Sequence, residues 1–343
     1  MRNIKKEKNL ILRGYFDSNF GDDMMQWLTA EKLSEFHFFV EDENASALVA
    51  ERNNVTLGKA PKNTPSVLVT GSGFMINSRS ALKAELRNFL CGKKDADYCI
   101  GCNLEPIPYR LGKWLIFRRL RRFRYISCRD KATFERLNAM HCMHCRSVRL
   151  FPDLLFSLPE NLLLPKTGEN LLGIALMRRD GDADNCRYYD AMAKTADLWC
   201  EKTGKGVLLL ALDSGSENDR YACACVFNKM RFADKAQIVC HGANGEIFSA
   251  FSRCSKIISA RFHGAVLALR TRTDLYPILF RDKMRNMLSD IGYPIKGSDI
   301  NRPNESEMAD FLFRSTEFSL DPEIERKAGE AFDTFKEILF QRN

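Results

Sequence analysis

Short apolar runs recur along the chain, separated by stretches that carry apolar residues at helical spacing. The first series comprises Leu10 to Leu12, Phe36 to Val40, Val67 to Thr70, Tyr98 to Gly101, Tyr125 to Cys128 and Val148 to Phe151. Runs of this length, bounded by polar or turn residues, read as strands buried on both faces. Six of them alternating with amphipathic segments predict a parallel sheet covered by helices. A second series follows Pro165-Lys166-Thr167-Gly168: Leu171 to Met177, Gly206 to Leu212, Gln237 to Cys240, Lys256 to Ser259 and Tyr276 to Phe280. It predicts a second sheet of the same kind. The breaker-containing segment from Pro159 to Gly168 separates the two series, so the expected domains are 1–165 and 166–343. The tail from Asp321 to Phe340 places Ile324, Ala328, Ala331, Phe332, Phe335 and Leu339 on one helical face, which predicts a terminal helix within the second domain.

The expected fold class is therefore α/β, with two Rossmann-like domains facing a cleft in a GT-B-like arrangement and a C-terminal helix. In such sheets ligands bind beyond the carboxyl ends of the strands. A length of 343 residues agrees with two domains, and 45% hydrophobic with 28% charged residues excludes a disordered or fibrous chain. The apolar stretch after the basic first eight residues is too short for a signal peptide, and charged residues interrupt every candidate membrane span. Twelve scattered cysteines fit reduced thiols better than a disulfide framework. These features together lead to the expectation of a cytoplasmic protein. The net charge of +8 suits a polyanionic partner without choosing among nucleic acid, anionic lipid and a phosphorylated substrate.

Several segments carry candidate chemistry. Gly14-Tyr15-Phe16-Asp17-Ser18-Asn19-Phe20-Gly21-Asp22-Asp23 lies between the first strand and a helix expected from Asp22 to Ser34. Asn19 and Asp22 in it can cap that helix or bond a polar ligand, although an ordinary strand-to-helix turn has the same composition. Gly71-Ser72-Gly73 is a weaker signal of the same kind. Arg178 and Arg179 end the first strand of the second domain, where a guanidinium can fork onto a carboxylate or phosphate; a solvated strand end is the competing reading. Lys256 to Leu269 reads as a buried strand, a short turn and an apolar helix opening at His263 or Gly264. That opening is an anion site, with Arg261 adding charge and His263 able to transfer a proton. Lys113 to Arg124 sets six cations against an apolar face, which suits either docking on anionic lipid or a solvated helix over a packed sheet. No nucleic-acid reader motif accompanies it. The pairs Cys99/Cys102 and Cys142/Cys145 are too far apart for a zinc ribbon, so no metal is expected.

In order along the chain, Asn19-x-Gly21-Asp22, Gly71-x-Gly73, Cys128-Arg129-Asp130 followed by Leu137, Pro152-Asp153, Arg178-x-Asp180 and Arg261-Phe262-His263-Gly264 resemble the polysaccharide pyruvyl transferase family. Phe262 stands where Leu is more usual, Ser72 where Gly is, and Phe280 precedes Lys283 where a Tyr is often found. The resemblance implies a GT-B-like enzyme that takes phosphoenolpyruvate as co-substrate and forms a pyruvate ketal on a sugar of a surface polysaccharide or its lipid-linked precursor, without a metal or organic cofactor. It implies His263 as general acid and Arg178, Arg261 and Gly264 as donor contacts, with Lys283 a further contact and Arg179 the substitute if the register slips by one. Asp17, Asn19 and Asp22 are then expected on the acceptor side. A lipid-linked acceptor gives 113–124 its role as a peripheral contact at the inner face of the cytoplasmic membrane. A GT-B glycosyltransferase using a sugar nucleotide is the alternative enzyme, and a basic adaptor acting through 113–124 the alternative outside catalysis.

Overall fold

The computed structural model describes residues 8–71, 74–92, 96–140, 147–179, 181, 186–242 and 245–341. The chain divides into two compact units: Met1–Phe16, Asp22–Leu154 and Glu325–Asn343 form the first, Asp17–Gly21 and Leu155–Ile324 the second. Each is a parallel sheet covered by helices, so the expected α/β class with two Rossmann-like sheets holds.

The first unit contains strands β1 (Lys8–Arg13), β2 (Phe36–Val40), β3 (Val55–Leu57), β4 (Ser66–Val69), β5 (Tyr98–Cys102), β6 (Tyr125–Cys128) and β7 (Val148–Leu150). Helices α1 (Phe20–Lys32), α2 (Ala47–Ala50), α3 (Arg79–Leu90), α4 (Arg110–Leu120) and α5 (Lys131–Ala139) connect them. The sheet order β3-β2-β1-β4-β5-β6-β7 reverses direction between β1 and β4. Strands β5 and β6 are buried at every position, which is why they read as continuous apolar runs rather than alternating ones. Cys99, Cys102 and Cys128 pack there with Ile116, Leu120, Phe123 and Leu137 as small core residues. The three-residue β3 was too short and too exposed, at Thr56 and Leu57, to register as an apolar run.

The second unit contains β8 (Leu171–Leu176), β9 (Val207–Ala211), β10 (Ala236–Cys240), β11 (Cys254–Ser259), β12 (Asp274–Leu279) and β13 (Ser298–Asp299) in the order β10-β9-β8-β11-β12-β13. Its helices are α6 (Arg187–Thr203), α7 (Asp219–Lys229), α8 (Glu246–Arg253), α9 (Phe262–Arg270), α10 (Asp282–Asp290) and α11 (Glu305–Phe313); α12 (Pro322–Phe340) closes the chain. The order reverses between β8 and β11. Chain segments after these two strands run to opposite faces of the sheet and leave a crevice at their carboxyl ends.

Three differences from the expected 1–165 and 166–343 division have local causes. Residues 155–165 group with the second unit because Arg270 donates to the Leu158 carbonyl at 3.0 Å and to Glu160 at 2.6 Å, while Leu155, Phe156 and Leu158 are buried. Lys166 adds bonds to the Phe251 and Cys254 carbonyls at 3.0 and 2.9 Å, and burial pulls its pKa below the usual lysine value. Most of α12 groups with the first unit, since Phe335 packs on Tyr98 and stacks on Tyr125, with ring centroids 5.4 and 5.8 Å apart. The apolar stripe fixes a helix face but not the core that receives it. Residues 17–21 join the second unit through a backbone bridge, Phe20 N–H to the Leu212 carbonyl at 2.8 Å and Ser214 N–H to the Ser18 carbonyl at 3.0 Å.

Arg129, at the end of β6, is buried in the first unit against Asp153 at 2.7 Å and donates also to the Gly71 carbonyl. Its neighbour Asp130 caps α5 by accepting the Thr133 N–H at 2.8 Å. The residues Cys128-Arg129-Asp130 and Asp153 thus join three chain segments of the first sheet. Asp153→Asn leaves the Arg129 charge buried without its counter-charge, which should cost about 3–5 kcal/mol of unfolding free energy. Denaturant titration measures this, and an unchanged midpoint contradicts it.

Candidate functional site

At the carboxyl ends of β8, β9 and β11 the second unit brings three loops onto one carboxylate. Asp219, the first residue of α7, is fully buried. Its Oδ1 accepts the Arg178 backbone N–H at 3.2 Å and its Oδ2 the Asp213 N–H at 3.0 Å. The Arg261 guanidinium approaches the same carboxylate in a fork, Nε to Oδ2 at 2.7 Å and Nη2 to Oδ1. The third guanidinium nitrogen, Nη1, donates to Glu217, whose side chain is half exposed. Burial pushes the Asp219 pKa up to about 6, and Arg261 opposes the rise. Burial alone would lower the Arg261 pKa, but Asp219 and Glu217 outweigh it and hold the guanidinium charged.

Arg261 also precedes α9, whose first residues are Phe262, His263 and Gly264. The Ser259 hydroxyl donates to the Arg261 carbonyl at 2.7 Å and sets the turn into the helix. The side chain of the capping residue Arg261 makes no bond to the first-turn amides, and the positive end of the helix dipole lies at this turn. Gly264 serves packing: a Cβ there would meet Ser259 Oγ at 2.5 Å, Leu212 Cδ1 at 3.0 Å and the Ala175 Cβ at 3.1 Å. Only glycine lets α9 approach the sheet so closely.

His263 is buried in the first turn of α9, edge-on to Phe262. Residues 17–21 lie against it, and a Cβ on Gly21 would stand 1.5 Å from His263 Nδ1. Asn19 fixes that segment by donating to Asp213 Oδ2 at 2.9 Å while its Oδ1 accepts the Gly21 N–H at 3.0 Å. Asp213 accepts the Gly215 N–H at 3.0 Å through its other oxygen, and burial raises its pKa. Asp17 accepts the Ser216 N–H at 2.9 Å and the Ser216 hydroxyl. The three expected acceptor-side residues are therefore divided. Asp17 and Asn19 are tied by hydrogen bonds into the second unit next to the His263 helix, whereas Asp22 stands in the first turn of α1 and groups with the first unit.

The expected donor contacts differ in availability. Arg178 is exposed, lies over the Tyr221 ring at 5.1 Å, and its guanidinium has no carboxylate or hydrogen-bond partner among the described residues. Tyr188 and Tyr189 hold its strand end by accepting the Met177 and Arg179 N–H groups at 3.3 and 2.8 Å. Arg179 points elsewhere, bonding Asn301 at 2.9 Å and covering Phe280 at 4.7 Å. The Lys283 ammonium, in the first turn of α10, lies 5.7 Å from the Phe262 ring centre. The Arg261 fork is turned to Asp219 rather than presented to a ligand. Asp180, Ser72, Gly73, Cys142 and Cys145 lie outside the described residues.

The family model of polysaccharide pyruvyl transferase matches residues 19–278, more than half of the chain. The chain belongs to that family. No protein of curated function matches the sequence. Among solved structures, the UDP-GlcNAc 2-epimerase of Methanocaldococcus jannaschii, in complex with UDP-GlcNAc and UDP, superposes with a TM-score of 0.59 at 10% identity, covering 97% of this chain and 99% of that one. The Anabaena protein HepE in complex with UDP and glucose gives a TM-score of 0.55 at 10% identity over 98% and 95% of the two chains. At that identity the likeness concerns the fold, which is the GT-B type expected from the strand pattern.

The basic segment 113–124 buries the face that was a candidate for lipid. Leu115, Ile116, Leu120 and Phe123 are core residues of the first unit. Four of its six cations lie over rings or beside carboxylates: Arg118 over Phe89 and Trp114, Arg121 over Phe117, Arg119 at 3.5 Å from Glu85 and Arg124 at 3.6 Å from Asp97. Among the described residues no helix is long and apolar enough to cross a membrane. Sequence reading missed Asp213, Glu217 and Asp219. Their signal was three acids just beyond the apolar strand Val207–Ala211, where burial of a charge requires a partner.

Gly21→Ala should force the His263 ring or the 17–21 backbone to move, at a cost of about 1–3 kcal/mol for overpacking. Denaturant melts and the imidazole resonances of His263 report this, and no change in either excludes the contact. Asp219 should titrate with a midpoint of about 6 by carboxyl carbon resonance, moving higher in Arg261→Gln because the opposing charge is gone. Its folded value exceeds the ordinary 3.8, so its contribution to stability is complete below that pH and is lost as pH rises through about 6. A midpoint below 4.5 or so contradicts the burial cost assigned to it.

Proposed function

We propose that this protein is a pyruvyltransferase that moves the pyruvyl group of phosphoenolpyruvate onto two hydroxyls of a sugar in a surface polysaccharide or its precursor. Membership in the family supports the class of reaction. The observation that carries the donor assignment is that the buried carboxylate of Asp219 holds together the Arg178 backbone and Arg261, the residue that opens α9 and its His263, while the Arg178 guanidinium has no carboxylate among the described residues. A guanidinium and a helix N-terminus suit an anion carrying both carboxylate and phosphate.

In this reading His263 delivers a proton to the methylene carbon of the donor, converting it to a methyl group and leaving C2 electron-poor. One sugar hydroxyl adds to C2 and gives up its proton. The bond from C2 to the bridging oxygen then breaks with its electron pair going to phosphate, and a second hydroxyl closes the ketal. Of the two hydroxyl protons, one replaces that spent on the methyl group and the other leaves with phosphate. A proton donor and fixed positive charge suffice for this sequence. Arg178 and the α9 amides face the donor's anionic groups, and Lys283 adds charge from α10. Arg261 positions the turn that carries His263 by its fork onto Asp219. The acceptor meets the same crevice, with Asn19 shaping its wall.

Phosphate release from phosphoenolpyruvate in the presence of a panel of sugars tests the reading, and thermal stabilisation by nucleotide sugars but not by phosphoenolpyruvate would favour glycosyl transfer instead. Arg178→Ala should weaken phosphoenolpyruvate binding by about 1.5–3 kcal/mol in calorimetry with little change in melting temperature. His263→Gln should lower turnover ~100 to 10,000-fold at saturating donor while donor affinity changes far less. Turnover within about threefold of the parent removes His263 as the general acid.

A further inference from the structure

The first unit holds a cavity of about 140 Å³ that the proposed reaction does not use. Arg13 at the end of β1, Leu68 of β4, Phe89 of α3, Arg118 and Arg119 in the last turn of α4, and Arg122 just beyond it are among its walls. Its volume is roughly ten times the ~10–15 Å³ that admits one water. Among the described residues its walls include four arginines and one carboxylate, Glu85. We infer that this cavity binds the phosphate or diphosphate group of a ligand.

Arg118 has no counter-charge among the described residues, and Arg13 has only a long ion pair. Arg118 lies 5.0 Å from the Phe89 ring centre and 5.7 Å from that of Trp114, and has no carboxylate or hydrogen-bond partner among the described residues. Contact with the two rings restrains the guanidinium without using up its N–H donors. Arg13 reaches Glu41 only at 3.9 Å, and its Nε is buried without a hydrogen-bond partner. A buried N–H of a charged group in that state is stabilised by an oxyanion that accepts from it. Arg119, 3.5 Å from Glu85 and over the Phe74 ring at 5.2 Å, supplies a third guanidinium already oriented. On a solvated helix face arginines turn their donors to water, whereas here they converge on a concavity. The excess of charge matches a dianion better than a single carboxylate, and planar forks match phosphate oxygens. Leu68, Phe89 and Leu115 give the apolar wall that the organic part of a phosphate ester would meet. Two sources share this chemistry, a soluble phosphate ester and a phosphate-bearing lipid headgroup.

Calorimetry with inorganic pyrophosphate on full-length Arg178→Ala protein tests the site apart from the donor crevice. Binding should persist in that background and weaken roughly tenfold or more on further change of Arg118→Ala or Arg13→Gln, the scale of one charge-assisted hydrogen bond. Sedimentation with phosphatidic acid vesicles against neutral phosphatidylcholine vesicles distinguishes the sources: capture that depends on Arg118 and Arg13 identifies a lipid headgroup, and pyrophosphate binding without capture a soluble ester. Arg118 is exposed, so Arg118→Ala keeps the fold and decides the matter should Arg13→Gln not fold. Neither probe binding, or binding that Arg118→Ala leaves unaltered, overturns the inference.

Discussion

The buried carboxylate of Asp219 organises the second unit's crevice. Desolvation works against its charge, and the protein offsets that cost with two backbone N–H groups and the fork of Arg261. Each partner comes from a different loop, after β8, after β9 and after β11. A single anion therefore fixes the relative positions of segments far apart in sequence. Removing either charge of such a pair leaves the other buried and uncompensated, a much larger loss than the net worth of the pair.

The pair also divides labour among the cations. Arg261 is the most prominent arginine of the family's Arg-x-His-Gly sequence, yet its donors are turned toward Asp219 and Glu217. Among the described residues the cation of this crevice that stands without a carboxylate is Arg178. Gly21 packs against the His263 ring, where the absence of a side chain is a steric requirement rather than a matter of backbone freedom. Asn19 links that segment to Asp213, so the two ends of the site are coupled through neighbouring hydrogen bonds.

The first unit repeats the device with a different outcome. Arg129 is fully sequestered against Asp153, and serves to join β6 to the segment after β7 and the loop after β4. Arg13 and Arg118 are not sequestered in this way, and their charge is exposed within a cavity. Arginines that look alike in sequence are thus structural in one place and available in another, depending on whether a buried carboxylate lies within reach.

The sequence by itself determined the two parallel sheets, because a strand buried on both faces must be apolar along its whole length and each such run is legible locally. It also marked the Arg-x-His-Gly turn, since a strand end, a glycine and an apolar helix follow one another without interruption. The short strands β3 and β13 lay below that signal; Ser298 and Asp299 are polar, and their place beside β12 comes from strand pairing rather than from an apolar run. Tertiary structure alone decided which core received the stripe of α12, because an apolar face does not specify its partner. It decided as well that residues 17–21 and 155–165 belong with the second unit, through a backbone bridge and the bonds of Arg270. Whether an arginine is a ligand contact or half of an ion pair was decided the same way. The acids that answer Arg261 lie more than forty positions away in the chain, and only folding brings them within hydrogen-bond distance.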